Sequence, residues 1–137
     1  MKNNHCPGFT LLELMLVLAI ISLLAGLIFP NIMREKIIAD QKIAIVNIAA
    51  LESALKRYKL DHGVYPTTDQ GLEELIFRSS GKGGYIDRLP RDPWGRNYLY
   101  LNPGENLDIE VFTYGADGQE GGEDENTDIG NWNIQNF

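Results

Sequence analysis

The chain opens on a run of apolar residues, and the pattern predicts a rod before it predicts a domain. From Phe9 to Phe29 the only charged residue is Glu13. At about 1.5 Å per helical residue such a run spans roughly 30 Å, the thickness of a bilayer's hydrocarbon core. A core helix this apolar on all sides would need more protein around it than the rest of the chain provides. A cleavable secretory signal is the rival reading. Against it, the run is long for a signal core, and Leu23-Leu24-Ala25-Gly26 is a poor small-x-small cleavage site. Orientation is not set by charge: Lys2 and the amino terminus on one side nearly balance Arg34, Glu35 and Lys36 on the other.

Beyond the apolar run the pattern becomes one-sided. Ile37, Gln41, Ala44, Ile48, Leu51, Leu55 and Tyr58 alternate spacings of four and three, one stripe of a helix, with Gln41 its polar exception. Ile38 and Ile45 widen the stripe. Arg57 and Lys59 suit a helix C-terminus, and Gly63 suits the stop. One helix is therefore predicted from Phe9 to about Leu60, with a kink or local melting at Pro30, where a backbone bond is lost.

Tyr65-Pro66 ends the helical pattern. Thr67 and Gln70 stand at capping-box spacing, and Leu72, Leu75 and Ile76 predict a short amphipathic helix. Ser79-Ser80-Gly81-Lys82-Gly83-Gly84 reads as a linker, since no strand precedes it and its spacing fits no phosphate loop. Pro90 to Gly95 is a rigid turn around Trp94. Asn97–Leu101 and Asp108–Tyr114 predict two strands joined by the turn Asn102-Pro103-Gly104-Glu105. Ile109 and Val111 would share one face, Glu110 and Phe112 the other. The expected fold class is α+β: a long N-terminal helix packed on a short helix and a small antiparallel β-sheet.

Charge changes the picture at the far end. The chain has 137 residues and a net charge of −7, enough for one compact domain plus an appendage. Nine of its acids fall between Leu101 and Phe137, a stretch without Lys or Arg. Such a face repels nucleic acid, whose binding rests on neutralised phosphates. Asp117 to Asp128 packs six carboxylates into twelve residues with interleaved glycines. Oxygen donors without His or Cys favour a hard cation, and calcium accepts an irregular set of six to eight oxygens. A solvated acidic loop is the plainer reading. The following Ile129-Gly130-Asn131-Trp132 favours the cation: an apolar anchor fixes the loop's end and brings its charges together. The spacing is not that of an EF-hand.

Glu13 is open to two readings from the residues alone. It either snorkels to water at the membrane edge or serves a function inside the apolar layer, where a carboxylate costs a few kcal/mol. His62 is the only histidine beyond residue 8 and sits at a helix end; no nucleophile and base stand at a catalytic spacing, so no enzyme is expected. Cys6, the single cysteine, supports no internal disulfide, and the polar residues before it do not suit lipidation.

Gly8-Phe9-Thr10-Leu11-Leu12-Glu13, followed by an apolar helix and Pro30, resembles the signature of type IV prepilins. Tyr65-Pro66-Thr67-Thr68-Asp69-Gln70-Gly71-Leu72, Asp92-Pro93-Trp94-Gly95 and Gly115-Ala116-Asp117-Gly118 through Asp128-Ile129-Gly130-Asn131-Trp132 resemble the major pseudopilins of type II secretion within that superfamily. Pilins of the adhesion and motility type usually close their C-terminal region with a cysteine pair, which this chain lacks. The resemblance implies a type IV pilin-like fold. It implies a leader, residues 1–8, cut between Gly8 and Phe9 by a prepilin peptidase that also N-methylates Phe9. It implies an assembly and transmembrane segment over residues 9–30 and a periplasmic domain over 31–137. Glu13, Phe9 and Pro30 would serve assembly, with Glu13 meeting the Phe9 amine of a neighbour.

It further implies calcium in a C-terminal loop, residues 114–128, held by the Asp117 and Asp128 side chains and the Tyr114 and Gln119 carbonyls, with Glu123 and Glu125 as further candidates. The expected product is a homopolymer at the inner membrane, single-pass before assembly. It would work with minor pseudopilins and an inner-membrane assembly platform, be driven by a cytoplasmic ATPase, and export folded proteins across the outer membrane. The alternatives are a type IV pilus pilin and a membrane-anchored calcium-binding domain that never polymerises.

Overall fold

The computed structural model describes residues 9–76 and 83–137, without the side chains of residues 27–31. The leader, Gly8, Cys6 and part of the glycine-rich linker therefore lie outside the described residues. Helix α1 covers Leu11–His62, 52 residues. It starts two residues later than the pattern predicts because Thr10 acts as its cap. The Thr10 hydroxyl accepts the Glu13 N–H at 3.2 Å, and Glu13 Oε2 accepts the Thr10 N–H at 3.4 Å, the reciprocal capping box. Gly63 stops the helix as expected, with φ 81° and its N–H donated to the Lys59 carbonyl at 2.7 Å. Position 30 lies within α1, so the helix is not melted there; the Pro30 side chain is outside the described residues.

The chain divides into two units, up to Lys36 and from Ile37 onwards. In the first, every described side chain from Phe9 to Gly26 is exposed; Phe9 and Leu11 are 79% and 78% accessible. No helix among the described residues is long and apolar enough to cross a membrane. The side chains of the predicted run are described only as far as Gly26, short of the roughly 20 residues a crossing takes.

The second unit holds the core. Ala44, Ile48, Leu51, Leu55 and Tyr58 of α1 are buried, so the predicted stripe is the packing face from Ala44 onwards. Ile45 widens it, whereas Ile38 is exposed. The Thr67–Gln70 capping box forms, with bonds of 2.9 and 3.2 Å. The helix predicted after it is only one 3-10 turn, Leu72–Leu75, because Gly71 takes φ 68° and breaks the continuity. Leu72 and Leu75 are its buried side.

A three-stranded antiparallel sheet closes the core, in the order β1 (Leu99–Leu101), β2 (Glu110–Thr113), β3 (Ile129–Gly130). Both predicted strands exist but are shorter than the pattern suggests. β2 pairs Leu99 with Phe112 on one side and Phe112 with Gly130 on the other. Ile109 and Val111 join the core while Glu110 and Phe112 take the other face, as expected. That second face is buried too, because Trp132 packs on Phe112 and the preceding turn folds over Glu110. The turn is also longer than the predicted four residues. Asn102–Pro103 is cis, and Glu110 folds back to accept the N–H groups of Asn106 and Leu107. β3 is the strand the sequence did not announce. Asn131 extends its ladder by side chain: Oδ1 accepts the Val111 N–H and Nδ2 donates to the Ile109 carbonyl. Gly130 lies flat under Trp132, where a Cβ would fall 2.2 Å from a ring carbon.

Candidate functional site

Two parts of the chain carry the predicted chemistry, and they are built differently. At the head of α1, Phe9 is exposed and Glu13 stands in the first helical turn. The amide groups of that turn point out of the helix, and the helix dipole favours a negative charge there. Besides the capping bonds, the Thr10 hydroxyl lies 3.3 Å from Glu13 Oε2. Glu13 therefore has a local role within its own helix, one that the T-x-x-E spacing of the sequence carries.

The acidic loop begins where β2 ends. The Tyr114 carbonyl accepts the Gly118 N–H at 3.1 Å, and Asp117 Oδ1 accepts the Gln119 N–H at 3.0 Å, which folds Tyr114 to Gln119 into a tight turn. The Ala116 N–H reaches across to the Glu125 carbonyl at 2.9 Å. Asp124 takes φ 51°, and its carbonyl accepts a 2.9 Å bond from Gln41 of α1. Gln41 is thus an anchor for the loop, not a flaw in the stripe. At the loop's end the Asp128 carbonyl is held by Asn133 Nδ2 at 2.9 Å.

Asp128 is the anomalous member. Its Oδ2 accepts the Gly121 N–H at 2.8 Å, while its Oδ1 is buried with no hydrogen-bond partner. Burial pushes its carboxyl above the usual aspartate range; the Gly121 bond opposes this, and the charges of Glu120 and Asp117 add to it. Asp128 shares a cavity of about 200 Å³ with Tyr114, Glu120, Glu110, Phe112 and Trp132. Of the predicted metal residues, the structure brings Tyr114 and Asp128 to this cavity. Asp117 is exposed but close enough for its charge to act on Asp128. Gln119, Glu123 and Glu125 are exposed and do not line the cavity, whereas Glu120, which the pattern did not single out, does. Among the described residues no three His, Cys, Asp or Glu side chains are gathered closely enough to hold an ion by themselves. An oxygen-only set with one orphaned buried carboxylate oxygen nonetheless fits a hard cation completed by backbone carbonyls.

A buried polar network underlies the loop. Asp92 accepts the N–H groups of Trp94 at 3.1 Å and Arg96 at 2.7 Å, Arg96 Nε at 3.3 Å and the Thr113 hydroxyl at 2.6 Å. This network joins the Pro90–Gly95 turn to β2. Its bonds to Trp94 and Arg96 are local, whereas the Thr113 bond that ties the turn to β2 joins residues 21 positions apart, and spacing gave no sign of it.

Residues 31–132 match the family model described as type II secretion system (T2SS), protein G. The chain belongs to that family. Residues 3–29 match the prokaryotic N-terminal methylation motif. A relative from Vibrio cholerae serotype O1, named type II secretion system core protein G, is 56% identical, covering 99% of this chain and 98% of its own. The protein of the same name from Escherichia coli K12 is 48% identical over 93% of this chain and 91% of its own. The crystal structure of the major pseudopilin from the type 2 secretion system of enterohaemorrhagic Escherichia coli superposes with a TM-score of 0.63. It is 45% identical and covers 75% of this chain and 95% of its own. The long helix with a small antiparallel sheet is the type IV pilin-like fold. The chain is a major pseudopilin of type II secretion, and its methylation motif marks it as anchored in the inner membrane.

Proposed function

We propose that this pseudopilin polymerises through the first part of α1 into a periplasmic filament that drives folded proteins across the outer membrane. The observation that carries the reading is the bare apolar surface from Phe9 to Gly26, which no other described residue of its own unit covers. Such a surface is stable only in an apolar surrounding. Lipid supplies one before assembly, with the helix crossing the inner membrane once and the domain from Ile37 in the periplasm. Neighbouring helices supply an equally apolar one afterwards, so leaving the bilayer need not oppose growth. Identical head-to-tail contacts that do not close generate a helical polymer. Minor pseudopilins, the assembly platform and the prepilin peptidase are its partners, and its role is structural instead of catalytic.

Glu13 fits this role because cutting between Gly8 and Phe9 creates a cationic amine, N-methylated in this family, at the head of each helix. A buried carboxylate needs a partner, and a neighbour's amine is one. Glu13→Ala in cells should be inserted and processed but should yield few filaments in sheared fractions. Normal filament yield would refute the pairing.

Calcium belongs to the same reading. Asp128, Asp117 and the Tyr114 and Gln119 carbonyls would hold it, with Glu120 now the nearest further candidate. Bound there, calcium would neutralise carboxylates that otherwise repel one another, leaving the loop fixed against β3 and Trp132.

A further inference from the structure

The geometry points to Arg96 as the positioning residue that fixes the first turn of the acidic loop and thereby sets its affinity for calcium, an inference that rests on the calcium reading above. The base of this side chain is held at two points. Its Nε and backbone N–H both bond Asp92, whose side chain is fully buried, and Asp92 is held in turn by the Thr113 hydroxyl of β2. The guanidinium lies 5.6 Å from the Trp94 ring centroid. Its far edge is a fork aimed at the loop: Nη1 donates to the Ala116 carbonyl at 3.3 Å and Nη2 to the Gly115 carbonyl. The next turn of the loop packs directly on it. A Cβ at Gly118 would stand 2.5 Å from Nη1, and Gly118 takes φ 70°, which a side chain resists.

The residues that Arg96 grips lie between Tyr114 and Asp117, two of the proposed donors. Gripping them in the metal-free chain fixes the backbone before the ion arrives. Binding to a site already ordered loses less conformational freedom than binding to a loose one. A cation beside a cation site would ordinarily repel it. Here the Asp92 carboxylate, 3.3 Å from Nε, offsets the guanidinium charge, so ordering outweighs repulsion. Lysine cannot substitute fully, because its donors radiate from one atom and cannot hold two carbonyls in a fixed plane while Nε bonds Asp92.

The test uses the full chain in detergent micelles, stripped with chelator and titrated with calcium chloride by calorimetry well below the melting temperature. Circular dichroism checks that each metal-free variant is folded. Arg96→Gln should weaken calcium binding by about tenfold or more, and Arg96→Lys should restore part of the loss. Should Arg96→Gln fail to fold, Arg96→Lys alone decides, with a loss of several-fold expected. Folded variants that bind calcium as tightly as wild type would overturn the proposal and leave Arg96 a strut of the Asp92 network. Wild-type chain that takes up no calcium would overturn the metal reading itself, which is a different failure.

Discussion

Replacing Asp128 by asparagine should move stability in opposite directions with and without calcium. In the metal-free chain Oδ1 is buried without a partner. An unsatisfied buried group costs about 1–3 kcal/mol, more when charged. Asparagine keeps an oxygen to accept the Gly121 N–H, now 2.8 Å from Oδ2, and replaces the orphaned anionic oxygen with a neutral amide. It also ends the repulsion from Glu120 and Asp117. Relief of about 1 kcal/mol would raise the melting temperature by roughly 4–8 °C in a domain of this size. With calcium the sign reverses. A ligand at a hundredfold excess over its dissociation constant stabilises by about 2.7 kcal/mol. The variant lacks the anionic donor and should lose most of that gain. Melting followed by circular dichroism, in chelator and in millimolar calcium, should show the two proteins exchanging rank. An equal loss of melting temperature in both buffers would refute the argument and make Asp128 an ordinary structural contact.

Burial pushes the Tyr98 and Tyr100 hydroxyls up to about 12. Their stabilisation is complete below the usual tyrosine value near 10 and is lost as pH rises through about 12. Absorbance titration of the six tyrosines should show late ionisations from at least these two, and a single step near 10 would contradict this. Glu110 behaves in the opposite sense. Burial alone would raise its carboxyl, but the N–H bonds from Asn106, Glu105 and Leu107 outweigh it and hold the carboxyl below the usual glutamate range. Its contribution is present above that range and fades as pH falls through the depressed value. Glu110→Gln should therefore cost about 1–2 kcal/mol in urea unfolding at neutral pH and little in acid. Leu55→Ala, at a fully buried site, should cost about 2–5 kcal/mol, whereas Leu60→Ala, at a site 84% exposed, should cost almost nothing.

The helical stripe from Ala44 to Tyr58 was legible because a buried helix face repeats at a fixed spacing. The Thr67–Gln70 cap was legible for the same local reason. The Thr10–Glu13 cap was equally present in the spacing but lay inside a run whose apolar character dominated the reading. β3 left no periodic signal, since two residues have no period, and only the apolar Ile129–Trp132 segment hinted that the loop's end is fixed. The burial of the second face of β2 depends on Trp132 against Phe112 and on the turn folded over Glu110, which the strand's own alternation does not encode. Within the site, Asp128 stood out as a carboxylate before an apolar anchor. The burial that orphans its oxygen is set by the fold, and the Arg96 fork and the Gln41 bond to Asp124 join residues up to 83 positions apart, so none of these has a local signature.

Trp132 covers Gly130, lies 5.5 Å from the Phe112 ring, and walls the same cavity as Asp128. The molecule consequently carries its own optical gauge where its acidic segment runs into β3. Indole emission responds to nearby charge and to water, so loading of the site could be followed by light from an unlabelled chain. Any residue larger than glycine at position 130 would evict the indole and silence that gauge.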